Sequence, residues 1–256
     1  MENNIYLNND YLRSNPSLHE EDSPWKAKIL IPLVDNFARQ TSKAEINVLD
    51  VGGGAGLILK SLSDHLINTY GIKVNKYVID LSPGMLNAQK QNNPDIIRSL
   101  NESINKTSLG DKSIDLALMI DILEHVTEET NALKEIDRIA NYAIFKVPLE
   151  NNLYSLVRNM FNLNEMRAYS REQYGHVNFY SYPILMRKIG SVFKKIISAS
   201  CANVYDYFLK SPHYNKLMKA RNKLFYLIVA WLASRLPPWL HSLVFGDFAL
   251  ILVQCH

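Results

Sequence analysis

Asp50, Gly52, Gly53, Gly54 and Gly56 sit in the run VLDVGGGAGLILK, where an apolar stretch ends in an acid and glycines alternate behind it. Glycine lets the backbone pass close to a ligand, and a turn from strand to helix aims the first helical N–H groups at an anionic group. The spacing reads as a nucleotide-type cofactor site. A dinucleotide fingerprint beginning at Gly52 requires Gly or Ala at position 57, where Leu57 stands, so an NAD-dependent oxidoreductase is the disfavoured alternative. Further on, KYVIDLSPGML is a second apolar stretch ending in an acid, Asp80, followed by Leu81. That is about the separation at which doubly wound folds set a carboxylate against two ribose hydroxyls. The competing reading of Asp80 is a cap for the helix that opens near Pro83.

Three histidines offer acid–base chemistry, because imidazole titrates near neutrality and can take a proton from a hydroxyl or an amine. His176, in YGHVNFYS with Gly175, Asn178 and Tyr180, is the first candidate for a general base. His125, in LEHV, is its competitor, with the other role of orienting the cofactor-side loop. His19 lies in a polar cluster with Glu20 and Glu21 and is a candidate to face substrate. No metal is expected. Asp115, Asp121 and Glu124 suggest a hard-cation set, but Asp115 opens a strand that Asp121 closes, so the two are too far apart to share an ion.

These residues are positioned by alternating strand and helix patterns from about residue 46 to 148, the signature of a parallel sheet with helices on both faces. Strands are predicted at Ile46 to Asp50, Lys76 to Asp80, Ile96 to Leu100, Ile114 to Ile120 and Tyr142 to Val147. Two more are predicted near Lys195 to Ser200 and Phe248 to Gln254. Asp50, Asp80, Ser99, Asp121 and Pro148 all fall at carboxyl ends, the edge at which such sheets bind ligands. Ahead of the sheet, Ser23 is predicted as N-cap and Pro24 as the first residue of an amphipathic helix through about Arg39.

The D-x-G-x-G-x-G run, the acid at Asp80 and the segment SIDLALMIDILEHV together make the chain resemble the class I S-adenosylmethionine-dependent methyltransferases. The resemblance implies an α/β, Rossmann-like doubly wound seven-stranded sheet whose last strand is antiparallel, with a helical insertion near the C-terminus. It implies S-adenosyl-L-methionine as cofactor, held by Asp50, the glycines Gly52, Gly53, Gly54 and Gly56, then Asp80, Leu81, Ser99, Leu100, Asp121 and Ile122. At the adenine position the family usually has Asp where this chain has Ser99, which leaves one weaker hydrogen bond there and the backbone of Leu100. NPSLHEEDSPWKAKIL and YGHVNFYS are similar to a bacterial subgroup whose members are assigned to saccharide or small-metabolite methylation. The implied reaction moves a methyl group to an oxygen, with nitrogen or carbon second, of a small-molecule, saccharide or lipid-linked acceptor. The alternative of a different class is a catalytically silent cofactor-binding regulator or scaffold.

With 256 residues, 47% of them hydrophobic, the chain can bury a sizeable core. It divides into an N-terminal helical lid segment, 1–45, with Trp25 packing over the site, and a methyltransferase domain, 46–256. Cys201 and Cys255 make neither a metal pair nor a disulfide framework, which points to a reducing cytosol, and MENNIYLNND lacks the pattern of a signal peptide. A net charge of +3 argues against a nucleic-acid surface. Charge is uneven, however: residues 186–235 hold ten Lys or Arg against one acid, Asp206. They lead into an apolar stretch, Leu224 to Phe245, whose unbroken run is shorter than the roughly 20 residues a membrane-spanning helix needs. Two readings of this insertion, about 205–245, stand side by side. It docks on the domain or on a second copy in a homodimer, or it lies on an anionic membrane surface.

Overall fold

The computed structural model describes residues 20–160, 170–217 and 220–256; His19 lies outside them. Helix α1 (Ser23–Gln40) continues from a 3-10 turn at Glu20–Asp22. Asp22, not Ser23, occupies the capping position, and it makes no capping bond because its own backbone is already helical (φ −91°, ψ −16°). Its carboxylate instead accepts from the hydroxyls of Tyr207, at 2.5 Å, and Tyr214, at 3.1 Å.

Beyond α1 the chain alternates as expected: β1 (Glu45–Val51), α2 (Leu57–Tyr70), β2 (Lys73–Ile79), α3 (Pro83–Asn92), β3 (Ile96–Leu100), β4 (Ile114–Ile120), α4 (Glu129–Ile139) and β5 (Ala140–Pro148). Then come α5 (Leu153–Met160), α6 (Tyr182–Val192) and β6 (Lys195–Cys201). Four helices, α7 (Val204–Lys210), α8 (Pro212–Leu217), α9 (Ala220–Ala233) and α10 (Pro238–Phe245), precede β7 (Phe248–Gln254). The strands form one sheet in the order β3-β2-β1-β4-β5-β7-β6, parallel except for β7, which runs antiparallel to both neighbours. This is the seven-stranded doubly wound sheet implied by the sequence. Its switch point lies between β1 and β4, where the strand order reverses and ligands bind.

Both faces of the sheet are covered, so the central strands read as unbroken apolar runs; every residue of β4 is buried. One face packs on α1 and α2 through Leu30, Val34, Phe37, Leu59, Leu62 and Leu66, and the other on α4 and α6 through Leu133, Ile136, Leu185 and Ile189. A third, smaller cluster joins the insertion to Trp25 and Phe248 through Val204, Tyr205, Val229 and Ala230. Through it, the start of α1 and the insertion face each other above the carboxyl edge of the sheet.

Candidate active site

The glycine turn leaves β1 with three backbones in the left-handed region, Gly52 (φ 60°), Gly54 (φ 57°) and Gly56 (φ 75°), a conformation that costs L-residues with a Cβ energy. Gly52 N–H donates to the Ile79 carbonyl at 2.8 Å, tying the turn to β2. Two of the glycines are also required by crowding. A Cβ on Gly53 would stand 1.9 Å from Asp50 Oδ2, and one on Gly52 would stand 2.3 Å from Ile122 Cδ1. Asp50 is thus folded under the turn, 1% exposed, with Oδ2 lacking a hydrogen-bond partner among the described residues. Burial, with the nearby charge of Asp80, pushes its carboxyl up to about 7. An orphaned acid beneath a side-chain-free turn at the start of α2 is a cradle for a ligand with both a cationic and an anionic group, and it fits the amino-acid end of S-adenosylmethionine.

Asp80 stands directly after β2. Its Oδ1 accepts from Ser82 N–H at 2.8 Å, and Ser82, not Asp80, caps α3 through its hydroxyl. Burial raises the Asp80 carboxyl to about 6. Asp80 N–H donates to the Leu100 carbonyl, and Asn101 Nδ2 bonds the carbonyls of Asp80 and Leu81, so the ends of β2 and β3 are tied into one ledge. Leu100 is buried and Ser99 is exposed on the edge strand.

Beside the glycine turn opens a cavity of about 510 Å³, lined by Asp50, Gly52, Gly53 and Gly54 on one side. Asp121, Glu124, His125, Glu150 and His176 also line it, as do aromatic residues of the insertion, among them Tyr205, Tyr207 and Tyr226. Asp80, Leu81, Ser99 and Leu100 lie outside this lining, at the neighbouring strand ends. Trp25 lines the cavity and stacks on Tyr207, ring centroids 4.2 Å apart.

Two cations that the sequence did not point to hold Asp121. Lys146, on β5, is fully buried. Its ammonium pairs with Asp121 Oδ1 and lies 3.5 Å from the centroid of the Phe248 ring. The other oxygen of Asp121 takes Lys26 at 2.9 Å. Asp121 has a left-handed backbone (φ 56°), and with a lysine on each oxygen it is held well below the usual carboxylate range, while desolvation brings Lys146 down to about 8. Asp121 and Ile122, both read as cofactor contacts, therefore serve first as an ion-pair centre and as packing on Gly52. A lone cation in the apolar stretch IFKVP was the available signal for Lys146. No comparable signal marked Lys26.

His176 and His125 meet edge to face, centroids 4.8 Å apart. His176 Nδ1 bonds Glu150 Oε2 at 2.6 Å, and Glu150 Oε1 accepts from Ser170 Oγ at 2.6 Å. His125 Nδ1 faces the Gly175 carbonyl at 3.4 Å, and burial beside His176 lowers its ring to about 4, so it is neutral at physiological pH. An imidazole whose Nδ1 is engaged by a carboxylate presents Nε2 as a proton acceptor, the arrangement a general base requires. Tyr180, from the same motif, is buried, and Asn178 Nδ2 bonds the carbonyls of Leu123 and Val126. Both position the loop instead of offering groups to a ligand.

Residues 49–141 match the family described as a methyltransferase domain. No curated protein matches the chain in sequence. Among solved structures it is similar to the geranyl diphosphate C-methyltransferase of Streptomyces coelicolor A3(2), in complex with Mg2+, geranyl diphosphate and S-adenosyl-L-homocysteine. The identity is 9% and the TM-score 0.60, over 91% of this chain and 80% of that one. The Haemonchus contortus phosphoethanolamine N-methyltransferase 2, in complex with phosphomonomethylethanolamine and S-adenosylhomocysteine, is 11% identical with a TM-score of 0.60, over 96% of this chain and 59% of that one. The [4+2]-cyclase SpnF shares the fold as well, at 11% identity and a TM-score of 0.55, over 88% of this chain and 80% of that one.

Proposed function

We propose that the chain is a class I S-adenosylmethionine-dependent methyltransferase that transfers the methyl group to an oxygen of a small, saccharide or lipid-linked acceptor, with His176 as the base. The observation that carries this reading is that the His176–Glu150 pair and the glycine turn open on one cavity. S-adenosylmethionine supplies an activated methyl group on a sulfonium centre, so the protein's part is to place the acceptor and deal with its proton. Gly52, Gly53, Gly54 and Gly56, with the start of α2, hold the carboxylate end of the cofactor, and Asp50 its ammonium. Asp80 takes the ribose hydroxyls, and the ledge of Leu81, Ser99 and Leu100 takes the base. Glu150 keeps the proton of His176 on Nδ1, and Nε2 receives the proton of the acceptor hydroxyl as the new bond forms. The aromatic wall from Trp25 to Phe248, with Tyr205 buried and the other rings half-buried, screens the site from water.

Two exposed apolar stripes support a lipid-linked acceptor. On α5, Leu153, Leu156, Val157 and Met160 are exposed, and on α9, Leu224, Leu227, Ile228 and Trp231, each set at the i, i+3, i+4, i+7 spacing of a single helix face. Tyr154 of α5 stacks on Phe225 of α9, which places the two helices side by side, and Tyr154 and Tyr226 line the cavity. Among the described residues no helix is long and apolar enough to cross a membrane. An apolar face of this kind, with Arg235 over the Trp231 ring at 4.2 Å, suits the surface of an anionic bilayer.

Calorimetric titration with S-adenosylmethionine and S-adenosylhomocysteine tests the reading. Micromolar binding is expected, weakened about 30-fold in Asp80→Ala, the loss of about 2 kcal/mol from hydrogen bonds to a charged group. Absence of binding to either ligand would overturn it, and product analysis separates oxygen from nitrogen or carbon as the acceptor atom.

A further inference from the structure

Glu124 is 1% exposed and lines the cavity, yet its Oε2 has no hydrogen-bond partner among the described residues. A buried carboxyl oxygen left alone is costly unless a ligand satisfies it. Asp121 itself is not available, since each of its oxygens already takes a lysine.

Glu124, His125 and His176 each bring one donor atom to a common point, all within 4.8 Å of one another. A tetrahedral ion at about 2.1 Å from each donor needs them about 3.4 Å apart, a side-chain rotation away. Both imidazoles have Nδ1 engaged elsewhere, His176 by Glu150 at 2.6 Å and His125 facing the Gly175 carbonyl at 3.4 Å. A ligating histidine is held in this manner, with its outer nitrogen on a carboxylate or a carbonyl. The loop that carries His176 is also fixed to Glu124, whose carbonyl accepts from Val177 N–H at 2.8 Å and Asn178 N–H at 3.0 Å. The donors thus sit on a braced frame.

We propose that Glu124, His125 and His176 form a binding site for one divalent transition cation. Two nitrogens and one carboxylate oxygen favour the Zn2+, Co2+ or Mn2+ class over Mg2+, which prefers oxygen alone. Coordination occupies the nitrogen through which His176 takes the acceptor's proton. Resting on the methyl-transfer reading above, cation and base therefore exclude each other, and occupancy of the site holds the enzyme off.

The test titrates the full chain, free of any affinity tag and stripped with EDTA, with Co2+ followed by visible absorption and with Zn2+ by calorimetry. One ion per chain is expected, at least about tenfold weaker in Glu124→Gln and His176→Ala, and about tenfold weaker in Glu150→Gln, where only the outer partner is lost. His256→Ala, at an exposed site, should bind as the wild type does. S-adenosylhomocysteine binding to the same preparations reports folding and tests the methyl-transfer reading by itself. A chain that binds this ligand but gives no Co2+ spectrum overturns the proposal, as does cation binding that survives both Glu124→Gln and His176→Ala. A chain that binds Co2+ in the expected pattern but no S-adenosylhomocysteine supports the cation site and overturns the methyl-transfer reading instead.

Discussion

On one side of the cavity the wall is a single short stretch, Asp50 to Gly56, that acts through its backbone and through the side chains it lacks. The facing wall gathers Lys26, Asp121, Glu150, His176 and Asp247 from elements far apart in the chain, with Lys146 buried and paired to Asp121, and acts through charge. Asp247 shows how tightly that wall is bound to the fold: its carboxylate accepts from the N–H groups of Asn203, Val204 and Phe248, at 2.8, 3.1 and 2.7 Å, and so anchors the start of the insertion to β7. A wall built by backbone tolerates little change in shape but holds few charges. A wall built from distant charges depends on every partner being in place, because each was desolvated to be there.

The largest expected effect follows from that dependence. Lys146→Met leaves Asp121 with only Lys26 and should destabilise the protein by about 3 kcal/mol, the scale at which one partner of a buried ion pair is missed, read from urea denaturation. A loss below about 1 kcal/mol would mean that Lys26 alone suffices and that the two walls are equally tolerant.

Next in size is the outer face of the insertion. Trp231→Glu should weaken binding to vesicles containing phosphatidylglycerol by about tenfold or more while leaving S-adenosylhomocysteine affinity unchanged, which would separate the acceptor side from the cofactor side. Equal vesicle binding by both proteins would remove the membrane reading.

At the backbone-built wall the expected effect is a dependence on pH. The Asp50 carboxyl is raised in the folded chain from 3.8 to about 7, so the native state binds the extra proton between those values and loses stability as pH rises through them. Relative to Asp50→Asn, the wild type should lose stability steadily from about pH 4 to about pH 7 and then level off. A flat difference would show that Asp50 ionises normally and that the turn above it is open to water.

The predicted strands Ile96 to Leu100, Ile114 to Ile120 and Phe248 to Gln254 coincide with β3, β4 and β7, and the others differ only at their ends. β4, buried along its whole length, prints that burial as a continuous apolar run; β3 is an exposed edge strand and carries no such run. The N-cap moved from Ser23 to Asp22 because a 3-10 turn precedes α1, a choice that depends on Asp22 reaching Tyr207 and Tyr214 across the insertion.

The sheet and the glycine turn were legible along the chain, since these are local: the strand pattern, the left-handed glycines and the acids at strand ends follow from neighbours in sequence. Only the tertiary structure decided that Lys26 and Lys146 share Asp121, and that His176 rests on Glu150 and meets His125 and Glu124. Those contacts join residues far apart in sequence. Charges buried against one another carry no periodic signal, because each is stable only where folding brings its partner.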